Sequence, residues 1–295
     1  MPETAMPRMF VLRASDIRRA ADHAASSYDS AAVLQAEILN RLLERIQDLE
    51  PAPDQILDVG SATGRATQTL AMKFGHARTV ALDLSLNMLA VTADRCAGMQ
   101  HVRLVAGDAG ALPFNPGAFD LVVSSLLLHW CNDIPATLGE FRRVLKPGGR
   151  LLFSLYGRDT LKELRAAWAA VDGYTHVNYF HDMHDIGDMA IRSGLTELVV
   201  DVDTFTLTYS NVEALVRDLR NTGAGNVTAG RRRSLAGRDT KRRLIENYET
   251  WRDGDRLPAT VEVIYGYALA PATGSVIATD GEVRVPLSDI TRRRG

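Results

Sequence analysis

The chain has 295 residues and carries 34 Lys plus Arg against 36 Asp plus Glu, a formal net charge of −2. With 46% hydrophobic and 24% charged residues it matches an ordinary cored protein, which excludes collagen-like, disulfide-scaffold and wholly disordered classes. Near-balance in bulk charge gives no case for a nucleic-acid partner, and the length admits one large α/β domain or two smaller ones.

Cys96 and Cys131 are far apart and belong to no Cys-x-x-Cys or His-spaced cluster, so no zinc or redox motif is present. Met1 to Arg13 lacks the pattern of a signal peptide, and nowhere do 18 apolar residues follow one another. The expected address is the cytoplasm, with no membrane partner.

Within Ile17 to Leu49 the apolar residues Val33, Leu34, Ile38, Leu42, Leu43 and Ile46 recur at helical spacing, which predicts a helical cap over residues 1–50. Pro51 and Pro53 punctuate the chain, and Gln55 to Val59 reads as a buried strand entering the turn Gly60-Ser61-Ala62-Thr63-Gly64. A helix is expected from about Arg65 to Phe74, then a strand from Thr79 to Leu82 ending at Asp83, then a helix capped by Ser85 and carrying Met88 and Leu89. Val102 to Ala106 is a third strand before Gly107-Asp108-Ala109, and Phe119 to Ser124 a fourth. A helix from Ala136 to Leu145 and the turn Lys146-Pro147-Gly148-Gly149 lead into the fifth strand, Arg150 to Leu155. Alternating strands and helices imply right-handed βαβ units: an α/β, Rossmann-like core over residues 51–157 with a mostly parallel sheet covered on both faces.

The second half changes character. Leu161 to Val171 is apolar at helical spacing, Leu195 to Tyr209 has the content of one or two strands, and Ala259 to Ala268 reads as another strand. Two helices, about Val212 to Thr222 and Thr240 to Trp251, form an expected insertion (about 211–256) before the last strand of a seven-stranded sheet. Residues 158–275 complete that sheet, and 276–295 form an expected loose tail.

An open α/β sheet binds ligands where its first strand hands over to a helix, which is the position of Asp58-Val59-Gly60-Ser61-Ala62-Thr63-Gly64. A dinucleotide fingerprint wants G-x-G-x-x-G, whereas here the second position is Ala62 and the third falls on Arg65, so nicotinamide binding is disfavoured. Gly60-x-Ala62-x-Gly64 resembles instead the loop of class I S-adenosylmethionine methyltransferases, with one glycine replaced. Asp83 ends the second strand 19 residues past Gly64, where a carboxylate can accept from both ribose hydroxyls. The resemblance implies that Asp108 and Ala109 meet the adenine, Met88 packs on its face, Asp58 anchors the methionine amino end and Ser125 lies beside the cofactor.

Longer segments resemble the malonyl-(acyl-carrier protein) O-methyltransferases of biotin synthesis. They include Ser27-Tyr28-Asp29-Ser30-Ala31-Ala32-Val33-Leu34-Gln35, Leu128-His129-Trp130-Cys131-Asn132-Asp133, Asp172-Gly173-Tyr174-Thr175-His176-Val177-Asn178, Gly223-Ala224-Gly225-Asn226 and Glu262-Val263-Ile264-Tyr265-Gly266. His129 stands where many members have Gln, and Ser125 where many have Asn. The resemblance implies methylation of the free carboxylate of a malonyl thioester on acyl carrier protein, with S-adenosylmethionine as cofactor. That carboxylate is already ionised, given an unperturbed pKa near ~4, so no catalytic base is expected. Alignment then carries the rate, to which effective molarities of roughly 10⁵ to 10⁸ M are attributed in model reactions. Expected acceptor residues are Tyr28, His129, Trp130, Tyr265 and an arginine of the insertion, Arg231. The cluster His181, Asp182, His184 and Asp185 lacks a closed ligand spacing, so no metal is expected. Two alternatives keep the same sheet: a methyltransferase for a free dicarboxylic acid or quinone precursor, and a non-catalytic cofactor-binding protein.

The charge of −2 is an average over an uneven chain. Arg217 to Arg243 holds nine Lys or Arg against Asp218 and Asp239, a local net of +7. Such a run is commonly a solvated face; here it also suggests a docking patch for an acidic acyl carrier protein.

Overall fold

The computed structural model describes residues 7–46, 49–232, 234 and 237–272, and the backbone of 276–277 and 283–284. Short runs rich in Val, Leu and Ile form the parallel strands β1 (Gln55–Val59), β2 (Arg78–Asp83), β3 (Val102–Ala106), β4 (Phe119–Ser125) and β5 (Leu145–Tyr156). They are joined by β6 (Thr196–Tyr209) and β7 (Leu257–Leu269) in the order β3-β2-β1-β4-β5-β7-β6. β7 runs antiparallel to both β5 and β6, so the sheet is mostly parallel with an antiparallel edge. The order reverses at β1 and β4, the switch point at which a doubly wound sheet opens a crevice beyond its strand ends.

Helices cover both faces. On one lie α3 (Val33–Glu44) and α4 (Arg65–Lys73), whose Ile38, Leu42, Ala66 and Leu70 pack on Ile56, Leu121 and Leu152. On the other lie α6 (Ile134–Val144) and α8 (Met183–Arg192), with Phe141, Val144 and Ile186 on Leu57, Val122 and Phe153. Full burial of each such side chain is worth about 1.5–3 kcal/mol, which explains why strands with two covered faces read as nearly continuous apolar runs. The remaining helices are α1 (Ala14–Ala24), the single turn α2 (Tyr28–Ala31), α5 (Leu86–Arg95), α7 (Lys162–Ala169), α9 (Val212–Asn221) and α10 (Arg238–Glu249). α7, α9 and α10 share a third cluster over Leu257 and Ala259, at the start of β7.

The segment expected to hold one or two strands forms one, β6, whose register against β7 shifts between Thr196 and Val199, where Glu197 takes a positive φ of 49°. Two details differ from expectation. Lys146-Pro147-Gly148-Gly149 is absorbed into β5 as an irregular first half, where the pairing with β4 also shifts. α8 was not expected at all; Asp182 caps it by accepting from the backbone N–H of Asp185 at 2.9 Å. The expected tail lies outside the described residues, apart from the pairing of β8 (Val276–Ile277) with β9 (Val283–Arg284), and so does Arg233. Among the described residues no helix is long and apolar enough to cross a membrane.

Candidate functional site

The turn after β1 is held by the ends of its neighbours. Gly60 and Ser61 donate backbone N–H groups to Leu82 O at 2.8 and 3.1 Å, and Ala62 N–H donates to Asp83 Oδ2 at 2.9 Å. Gly60, Ala62 and Gly64 all take positive φ, of 76°, 46° and 79°. Glycine adopts that region freely, whereas the alanine bears a strain of about 1–2 kcal/mol. Beneath the loop Asp58 is 1% exposed and accepts from Thr67 Oγ1 at 2.6 Å; burial pushes its carboxyl up to about 7.

A cavity of about 320 Å³ opens beyond β1 to β4, lined among others by Gly60, Ala62, Asp83, Met88, Asp108 and Ala109. Asp83 also accepts from Ser85 N–H at 2.8 Å, which fixes both carboxylate oxygens at the cavity edge while each keeps accepting capacity. Desolvation raises its pKa, offset in part by the backbone N–H groups of Ser85 and Ala62. Asp108 is exposed and accepts from Gly110 N–H, Ala109 is buried, and Ser125 borders the cavity beside Leu126. α1 forms the roof through Ala14, Ile17, Arg18 and Ala21. Its ties are Ser85 Oγ to Asp22 at 2.5 Å, Arg231 to Asp16 at 2.9 Å, and the preceding Leu12 bonded twice to Asn132 at 2.8 Å.

A second cavity of about 520 Å³ lies between α2–α3, β6 and α9. Gln35, His129, Trp130, Tyr156, Thr222 and Ala224 line both spaces, so one wall is common to the two. His129 is 4% exposed, with ring centroids 4.7 Å from Tyr156, 5.2 Å from Trp130 and 5.8 Å from Phe180. Burial among these rings lowers its pKa to about 3, so the imidazole is neutral at physiological pH, and its Nδ1 has no hydrogen-bond partner. Tyr156 accepts from Gln35 Nε2 at 3.2 Å, and burial holds its hydroxyl protonated, at about 12.

A methyltransferase-domain family matches residues 57–153. A malonyl-(acyl-carrier protein) O-methyltransferase from Gallionella capsiferriformans is 44% identical over 89% of this chain and 93% of its own length. Another, from Coxiella burnetii, is 40% identical over 99% of this chain and 100% of its own. The chain belongs to the malonyl-(acyl-carrier protein) O-methyltransferases. A crystal structure of a putative methyltransferase from Bacillus halodurans shares the fold, with a TM-score of 0.57 and 21% identity over 80% of this chain and all of that one.

In this member of the family, the structure gathers most of the expected residues around the two spaces. Tyr28 lines the first cavity, and His129 and Trp130 stand on the shared wall. Asp58 sits one layer below the loop. Tyr265 is not brought to the site: it is 1% exposed on the sheet face covered by α3, under the Arg45 guanidinium at 4.4 Å. Arg231 is not brought there either; it spans from Asp16 to the carbonyls of Val227 and Thr228 and ties the roof to the insertion. Sequence reasoning missed Gln35, Tyr156, Asn178, Phe180 and Arg18. Among the described residues Arg18 is the one cation lining either cavity. Among them, too, no three His, Cys, Asp or Glu converge to hold a metal ion.

Proposed function

We propose that the protein transfers a methyl group from S-adenosylmethionine to the free carboxylate of malonyl-acyl carrier protein, giving the methyl ester at an early step toward pimeloyl and biotin. The observation that carries this reading is the shared wall: a cofactor-sized cavity meets a second cavity across His129, Trp130, Tyr156 and Gln35, in a chain related over nearly its full length to enzymes of that name.

The residues present fit the cofactor. Its volume class suits the first cavity, and Asp83 presents a desolvated carboxylate with free lone pairs at the strand end where a ribose binds. Asp108 and Ala109 stand at the next strand end for the adenine, Met88 beside it, and Gly60, Ala62 and Gly64 let backbone approach the methionine portion. Bound there, S-adenosylmethionine supplies a methyl group on a sulfonium centre. The shared wall offers no effective base, because burial leaves the His129 imidazole too weakly basic, at about 3, to hold a proton, and Tyr156 keeps its own. None is required, since a malonyl carboxylate arrives ionised. What His129, Trp130 and Tyr156 do is exclude water and align one carboxylate oxygen with the methyl.

Carrier docking falls to fewer residues than the basic run suggests. Arg231, Arg232, Lys241 and Arg242 are paired with Asp16, Asp172, Glu213 and Asp239, and Arg243 donates to Ala170 O. Arg217, Arg220 and Arg238 are exposed and, among the described residues, unpaired, so they are the cations free to attract an acidic carrier protein. A cytoplasmic location goes with this reading and with the two unbonded thiols, Cys96 and Cys131. The test is mass spectrometry of malonyl-carrier protein, malonyl-CoA and free malonate after incubation with S-adenosylmethionine. The carrier substrate is expected to gain one methyl; no turnover of it, with free malonate methylated instead, overturns the proposal.

A further inference from the structure

We propose that the second cavity is the channel for the pantetheine arm of the carrier, with Asn178 and His129 as the hydrogen-bonding partners of its amides and thioester. The inference rests on the acceptor reading above and adds how a carrier-bound malonyl group is told from a free one.

The walls of this cavity are largely apolar, with Leu34, Leu161, Phe180, Leu207, Leu215 and Leu219 among them. Most of its polar side chains are already satisfied: Gln35 bonds Tyr156, Tyr209 donates to Asp218 at 2.7 Å, Thr160 donates to Glu262 O, and Thr222 to Asp218 O. Among the described residues of the lining, Asn178 and His129 are the buried exceptions. Asn178 is 6% exposed and His129 4%, both line the cavity, and neither side chain makes a hydrogen bond within the chain. A buried amide or imidazole without a partner opposes folding, so two on one cavity wall point to a ligand that supplies the missing partners.

The charge of the lining selects the ligand. Among the described residues no Lys or Arg borders this cavity, whereas Asp218 and Glu37 do. A dicarboxylate or a phosphate is therefore disfavoured there, and a neutral chain is favoured. At about 520 Å³ the space also exceeds what a three-carbon malonyl group fills. A neutral, elongated occupant bearing amides, attached to a short acid whose carboxylate reaches the shared wall, is a malonyl thioester on a pantetheine arm. The Asn178 Nδ2 amide and an Nε2–H of His129 donate to arm carbonyls, Asn178 Oδ1 and His129 Nδ1 being sealed behind them.

The experiment measures binding of free pantetheine to the full chain by calorimetry, alongside turnover of malonyl-pantetheine and malonyl ethyl thioester. Wild-type protein is expected to bind pantetheine, and Asn178→Ala to weaken that binding about five- to tenfold, the loss of one or two hydrogen bonds. The same variant is expected to lower kcat/KM for malonyl-pantetheine about five- to tenfold more than for the ethyl thioester, through KM. Leu219→Trp, which adds bulk at another lining position, is expected to abolish pantetheine binding, with thermal melts checking that both variants fold. No pantetheine binding by the wild type, or equal effects of Asn178→Ala on the two thioesters, overturns the arm channel. Pantetheine binding without turnover of any malonyl thioester overturns the methyl-transfer reading and leaves the channel standing.

Discussion

Gly64→Ala tests the architecture of the cofactor loop. Gly64 has φ 79°, and a Cβ built on it lies 2.5 Å from Thr92 Cγ2 and 2.9 Å from Thr92 Cβ and Oγ1. Thr92 is fully buried, and its one hydroxyl hydrogen is shared between Ala62 O at 2.9 Å and Met88 O at 3.1 Å, so it cannot rotate aside without losing that bonding. The left-handed backbone costs alanine about 1–2 kcal/mol and the overpacking about 1–3, against about 0.4–1 regained from a stiffer unfolded chain. The sum is a destabilisation of about 3 kcal/mol, read as a fall in the urea midpoint at unchanged slope. Gly75→Ala is the control, because its Cβ meets nothing within 4 Å and its φ is ordinary; it is expected to be neutral or slightly stabilising. Thr92→Ser keeps the hydroxyl and removes Cγ2, so in the Gly64→Ala background it is expected to return about 1 kcal/mol, a coupling visible in a double-mutant cycle. If Gly64→Ala costs no more than Gly75→Ala, the loop is not pinned against α5 as described.

Three further outcomes follow from the site. Asp58 titrates near 7 when folded: below pH ~4 it is protonated in both states, between ~4 and ~7 only the unfolded chain ionises, and stability falls with rising pH by up to the order of 4 kcal/mol. Asp58→Asn is expected to flatten that slope, and identical pH dependence of the two unfolding curves refutes it. Asp83→Asn is expected to weaken S-adenosylmethionine binding at least ~10-fold in calorimetry, since charge-assisted hydrogen bonds are worth about 1.5–3 kcal/mol each; unchanged affinity removes Asp83 from the ribose role. Arg217→Glu with Arg220→Glu is expected to raise KM several-fold more for malonyl-carrier protein than for malonyl-CoA, with the difference shrinking as salt rises; equal shifts argue against docking there.

The parallel half of the fold was legible because strands buried on both faces leave apolar runs bounded by Gly, Pro and Asp. The residues lining the first cavity were legible for a related reason, as consecutive strand ends converge on one crevice. α8 was not legible, because its apolar positions Ile186, Met189 and Ala190 are few and are interrupted by Gly187 and by the polar His184, Asp185 and Asp188, which weaken the helical signal behind the capping Asp182. Tyr265 illustrates a real limit. Strand alternation shows that it shares a face with Val261 and Val263 and opposes Ile264, but which face meets the site is decided by helices distant in sequence. Tyr156 ends β5 and was findable by the strand-end rule that found Asp83. Asn178 lies in an irregular segment, so nothing local marks it as pointing into a cavity. The basic run misled in another way: its acidic counterparts Asp16, Asp172 and Glu213 are remote in sequence, and only tertiary structure brings them to it.

The shared wall also contains one of the three tryptophans. Trp130 borders both cavities, whereas Trp168 is stacked on His176 at 3.5 Å, away from them, and Trp251 is exposed. Occupancy of either space changes the polarity around one indole while leaving the other two in place. The protein thus carries its own optical probe at the meeting point of donor and acceptor, and the order in which the two ligands arrive can be followed by stopped-flow emission without any label.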